Sequence, residues 1–164
     1  MKFQVAVCGP RDCTEANRQA ARRIGELLAE AGATVLCGGG SGVMAAVAAG
    51  ARSRDGLVVG IRPNNSREGS SPDLSVTIVT NLGEARNAVI VWSADAVIVV
   101  GGSWGTLSEL ALAKRRGDVP VISLDGWQLL DASSRPVPGI EIAASAEDAV
   151  RQALATQLPP PTDG

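Results

Sequence analysis

The sequence contains no histidine. That excludes a Ser–His–Asp triad, a histidine metal ligand and imidazole acid–base chemistry together. Lysine is almost as scarce: Lys2 and Lys114 are the only two among 15 basic residues. The three cysteines, Cys8, Cys13 and Cys37, are odd in number and form no CxxC pair. They argue against a disulfide framework and predict a reducing compartment. No charge of one sign dominates. The formal net charge is −2 over 164 residues, so no global basic field recruits nucleic acid. Long apolar runs are missing too. The longest, Ala88 to Val100, is broken by Ser93 and Asp95 and falls short of the roughly 20 residues a membrane span needs. The opening stretch from Phe3 to Gly9 is too short for a secretion signal and contains Gln4. These absences predict a cytoplasmic chain with neither a membrane nor a nucleic-acid partner.

What is present is a regular alternation of short β-branched runs and helical patterns. Strands are expected at residues 3–8, 34–37, 57–61, 75–79, 95–100, 119–124 and, briefly, 140–143. Helices are expected at 14–31, closed by Gly32, and at 43–53, 84–93, 106–116 and 145–158, the last started by Ser145 with Asp148. Residues 62–73 read as a polar loop. One domain over 1–158 and a flexible tail over 159–164, opened by Pro159-Pro160-Pro161, complete the organisation. The alternation predicts a Rossmann-like α/β three-layer sandwich: a mostly parallel sheet of about seven strands with helices on both faces. In such sheets ligands sit outside the carboxyl ends of the strands.

Two glycine-rich segments fall on that edge. Gly38-Gly39-Gly40-Ser41-Gly42 joins the second strand to a helix, and Gly101-Gly102-Ser103-Trp104-Gly105-Thr106 follows the fifth. Glycines let backbone N–H groups approach a phosphate, and a helix N-terminus adds favourable partial charge. A tight turn needing positive φ is the plainer alternative. Neither segment is a dinucleotide fingerprint, since the first strand ends in Gly9-Pro10-Arg11, and neither is a Walker loop. Thr106-Leu107-Ser108-Glu109 reads equally as a capping box or as a helix that presents Glu109 to a ligand. Arg86, in the first turn of its helix, opposes the helix dipole there, which fits an arginine aimed at an anion. Cys8 and Cys37 read as small apolar fillers and Cys13 as an inert thiol. Val89, Ile90, Val91 and Trp92 make the Arg86 helix apolar nearly all round, which needs a core or a subunit interface.

Gly101-Gly102-Ser103-Trp104-Gly105-Thr106-Leu107-Ser108-Glu109 resembles the PGGxGTxxE motif of the LOG ("lonely guy") family, formerly labelled as possible lysine decarboxylases. The resemblance runs from Val5 to about Leu124. It is closest to a compact bacterial branch, with Ala85-Arg86-Asn87 in the helix, that is similar to the molybdenum cofactor carrier protein. It implies a homodimer or higher homo-oligomer and a nucleoside 5′-monophosphate site. It also implies hydrolysis of the N-glycosidic bond of AMP or a cytokinin nucleotide, with no cofactor. The family's catalytic pair falls on Arg86 and Glu109, and its phosphate and ribose loops on Gly101 to Thr106 and Gly38 to Gly42. Val100 replaces the motif's proline, Asn87 the lysine and Ala85 the glutamate of cytokinin-activating members. Those departures keep open an alternative, a non-catalytic carrier or sensor of a nucleotide-like ligand such as molybdenum cofactor. Pyridoxal-dependent decarboxylation fails because it needs a Schiff-base lysine, and neither Lys2 nor Lys114 lies near the loops. A single-stranded DNA-processing protein of related fold is disfavoured by the acidic charge and the absence of a basic, aromatic stripe.

Overall fold

Ala96-Val97-Ile98-Val99-Val100, five consecutive apolar residues with no polar alternate, are buried on both faces of the sheet, as a central parallel strand requires. The computed structural model describes residues 1–155. The predicted tail and the last turn of the predicted closing helix lie outside them. The elements are β1 (Gln4–Cys8), α1 (Glu15–Glu30), β2 (Thr34–Cys37), α2 (Val43–Arg52), β3 (Val58–Arg62), β4 (Val76–Val79), a 3-10 turn (Gly83–Ala85), α3 (Arg86–Trp92), β5 (Ala96–Val100), α4 (Trp104–Arg116), β6 (Val121–Leu124), β7 (Glu141–Ile142) and α5 (Ala146–Leu154). The seven strands are parallel in the order β4-β3-β2-β1-β5-β6-β7. The order reverses between β1 and β5, which makes the carboxyl ends of those two strands the topological switch point.

Strand alternation sends Val5, Val7, Val35 and Ile98 to one face, beneath α1, α2 and α5. Ala6, Leu36, Val97 and Val99 go to the other, beneath α3 and α4. The first layer is tightly built. Gly25 of α1 and Gly50 of α2 sit where a Cβ would strike the backbone of the facing helix, at Val47 and Arg22 respectively. Glycine inside a helix costs about 1 kcal/mol relative to alanine, and close approach of the two helices is what it gains. The second layer is thin, because α3 spans only seven residues.

Two helix starts differ from expectation. The Arg86 helix opens with a 3-10 turn at Gly83–Ala85, so Arg86 itself is the first α-helical residue. The helix after β5 begins at Trp104, two residues earlier than expected. Ser103 is its N-cap, accepting from the Thr106 N–H at 3.2 Å. Ser145 caps α5 as expected, accepting from the Asp148 N–H at 3.1 Å. No helix of the described residues is long and apolar enough to cross a membrane.

Candidate functional site

Because Ser103 is the cap, Glu109 lies in the second turn of α4 and cannot close a capping box with Thr106. The carboxylate is released from that structural role. Gly102, Ser103, Gly105, Thr106 and Glu109 share one face of the helix start and line a cavity of about 370 Å³. That volume lies within the roughly 300–1,000 Å³ typical of small-molecule sites. Ser103 takes the N–H groups of Thr106 and Leu107, through its hydroxyl and its carbonyl respectively. The N–H groups of Trp104 and Gly105 at the helix start are thereby left for a ligand.

Arg86 enters the same cavity from the first residue of α3. It is 7 % exposed, and its Nε and Nη1 have no hydrogen-bond partner in the protein. A guanidinium buried without partners is costly, so the arrangement suits an anion that completes it. Glu109 is equally buried, at 7 %. Burial pushes its carboxyl up from 4.5 to about 7, against the opposing pull of the Arg86 charge and the Cys8 thiol; Glu84 adds to the rise. The site therefore holds a carboxyl poised near neutrality next to an uncommitted arginine. General acid–base chemistry by a single carboxyl is served by this kind of tuning.

The two glycine loops play different parts. Gly101, at φ +67°, turns the chain after β5, and a Cβ there would sit 2.8 Å from Asn17 Oδ1. Gly38 is held against the Arg86 guanidinium, which fills the space a Cβ would need, with Met44 Sδ 2.6 Å from the same point. Gly39 and Gly40 pack in the same way on the Arg62 side chain. Gly42, at φ +66°, lies against the carbonyls of Pro10 and Arg11, and the Pro10 carbonyl takes the Val43 N–H at 3.1 Å. The first loop thus seats two arginines instead of lining the Glu109 cavity. Its Gly40 and Ser41 line a neighbouring cavity of about 430 Å³ with Arg62. Expectation placed both loops on one sheet edge, and they are there, but in adjacent cavities.

The sequence reading did not single out Pro10, Arg11 and Asp12 after β1, or Met44 and Glu84, all of which line the Glu109 cavity; Asn87, noted only as a departure from the family motif, lines it as well. The β1–α1 turn was set aside for lacking a dinucleotide fingerprint. The switch-point rule would have found it, since β1 and β5 are neighbours. Cys8 and Cys37 are buried and free, and burial raises both thiols, Cys37 to about 11, as inert fillers require.

The SLOG cluster4 family model matches residues 2–150. An uncharacterized protein of Archaeoglobus fulgidus is 39 % identical over 140 residues, covering 82 % of this chain and 92 % of its own length. The cytokinin riboside 5′-monophosphate phosphoribohydrolase of Mycobacterium tuberculosis is 35 % identical over 119 residues, which span 68 % of this chain but only 64 % of that enzyme. Among solved structures, the molybdenum cofactor binding protein of Rippkaea orientalis superimposes with a TM-score of 0.87 at 34 % identity, over 96 % of this chain and 99 % of that one.

Proposed function

The chain belongs to the SLOG cluster4 family, and on that footing we propose that it binds a nucleoside 5′-monophosphate in the Glu109 cavity and hydrolyses its N-glycosidic bond. The observation that carries the reading is the pairing of a buried, unpartnered Arg86 with a buried Glu109 whose carboxyl titrates near 7. The 5′-phosphate sits at the start of α4, against Gly102, Ser103 and Gly105, with Arg86 alongside. Glu109 lies one turn further along the same helix face, level with the ribose. Cleavage develops positive charge on the sugar ring, as in glycoside hydrolysis. Ionised Glu109 stabilises that charge and accepts a proton from the attacking water. Hydroxide oxygen bonds to C1′, the C1′–N bond breaks, and the proton leaves with the base. The products are free base and ribose 5-phosphate, and no metal or organic cofactor takes part.

The pH dependence follows in sign. The active form is the carboxylate, so turnover rises as pH passes through about 7. The test is release of free base from AMP and a panel of nucleoside monophosphates. Expected is release that disappears in Glu109→Ala. Release no greater than that variant's, across the panel, would overturn hydrolysis.

One observation favours a second reading, a carrier that holds a phosphate-bearing cofactor without turnover. The likeness to the Rippkaea orientalis protein covers nearly the whole of both chains, whereas the likeness to the mycobacterial hydrolase covers about two thirds of each. The unpartnered Arg86 fits the phosphate of molybdenum cofactor as well as that of a nucleotide. A molybdopterin identified by mass spectrometry on the purified protein supports this reading, and robust base release removes it.

A further inference from the structure

Arg62, the last residue of β3, is a second buried arginine with an uncommitted group. It is 6 % exposed, and its Nε has no partner. Nη2 donates to the Glu68 carbonyl at 3.0 Å, which fixes the plane of the fork. The side chain lies along Gly39 and Gly40 and lines the second cavity, of about 430 Å³, with Arg11, Ser41, Asn64 and Asn65. Burial, and then the charges of Arg11 and Arg86, push the Arg62 pKa down. Three guanidinium groups therefore repel one another here. Among the described residues none of the three is in a salt bridge with a carboxylate. The one acidic residue lining this cavity, Glu68, is exposed.

We propose that the Arg62 cavity is an oxyanion-binding subsite contiguous with the Glu109 cavity, and that the ligand carries a second anionic group which reaches past Arg11 to occupy it. Arg11 lines both cavities, which places them side by side. Met44, which lines the Glu109 cavity, packs against Gly38 and against Gly40, which lines the Arg62 cavity. The donors are of the right kind: the Arg62 guanidinium for a charge-assisted bond, with Asn64, Asn65 and Ser41 at the rim. A buried arginine lacking an anion in a chain this short would be a standing cost without return, and an oxyanion removes that cost. The inference rests on the reading that the Glu109 cavity holds the first phosphate of the same ligand, and it enlarges the ligand class from a nucleoside monophosphate to one with two separated oxyanions.

The test uses the full chain and equilibrium dialysis with radiolabelled inorganic phosphate. The wild type is expected to bind two phosphates per chain, one of which AMP displaces. Arg62→Gln is expected to bind only the AMP-displaceable one. Asn64→Asp, at an exposed rim position, keeps the fold safe and weakens the second phosphate at least about tenfold, while AMP affinity stays within about twofold. In a series of ADP, ATP and ADP-ribose, at least one member is expected to bind the wild type about tenfold more tightly than AMP, with the preference lost in Arg62→Gln. One phosphate per chain in the wild type, two in Arg62→Gln, or AMP as the tightest ligand throughout would each overturn the proposal. Loss of base release with both phosphates still bound would strike the hydrolase reading alone.

Discussion

Glu109→Gln isolates the energetic cost of the candidate site. Glutamine reproduces the shape and polarity of the protonated carboxyl, so the two proteins differ only where Glu109 is ionised. The Glu109 carboxyl moves from 4.5 in an unstructured chain to about 7 in the fold, and desolvation is the largest cause. At about 1.4 kcal/mol per tenfold change in proton affinity, that displacement corresponds to about 3 kcal/mol. The sign is fixed by linkage: a carboxyl whose folded pKa is raised binds protons more tightly in the native state, so stability falls as pH rises between the two values. Below about pH 4.5 the two proteins should be nearly equal in stability. From there to about pH 7 the wild type should lose ground, and above it Glu109→Gln should be more stable by about 3 kcal/mol. Urea unfolding of both proteins, freed of ligand, from pH 4.5 to 8.5 measures the difference and cancels every other titration. A difference that stays flat with pH, or a wild type that is the more stable at pH 8, would refute the burial argument and the catalytic assignment that depends on it.

Gly38→Ala should displace the Arg86 guanidinium, because that group occupies the space of the added methyl; nucleotide affinity measured by calorimetry is expected to fall at least about tenfold with the unfolding transition of the protein still cooperative. The α3–α4 face should form a twofold dimer, since Trp92 is 63 % exposed and Val76 and Ile78 of the edge strand, in register with Val59 and Ile61 on the same face of the sheet, are uncovered. Sedimentation equilibrium at micromolar concentration should report a dimer, and Trp92→Glu a monomer; a wild-type monomer with intact nucleotide binding would refute the interface.

The fold was legible because the central strands are short and apolar and are followed by glycine or a turn, and the helices between them carry capping residues and, in α1 and α5, a clear apolar face. The two helix starts flanking the site, at Arg86 and Thr106, moved; among the strands, β6 begins two residues late, at Val121, and β3 runs on to Arg62, out of the expected polar loop. Both helix starts moved for a local reason. Ser103 is as good a cap as Thr106, and the choice between them depends on where β5 ends. The pair Arg86 and Glu109 was legible as residue types on one sheet edge. The separate destinations of the two glycine loops were not, because they depend on which side chains fill the space beside each glycine. Arg62 was hidden for a similar reason: it reads as the start of a polar loop, and only the packing of Gly39 and Gly40 against it shows that it is buried.

The thin side of the sandwich is also the working side. Arg86 begins α3 and Glu109 lies in α4, and these two helices cover the second face together with Val119, Leu129 and Ile140 from the segments flanking β6. A seven-residue helix does not persist by itself; α3 is held by burial of Ile90 and Val91, by the Arg116 guanidinium, whose Nη1 donates to the Val91 and Ala94 carbonyls, and by the Asn87 amide, which donates to Ser108 Oγ at 3.4 Å. The position of Arg86 over the cavity thus depends on contacts between α3 and α4, and Arg116, which donates two of these bonds, lies 5.2 Å from the centre of the exposed Trp92 ring. A partner that covers Trp92 would tighten those contacts and the alignment of Arg86 with Glu109 together, and would thereby couple assembly to ligand grip through the same two helices.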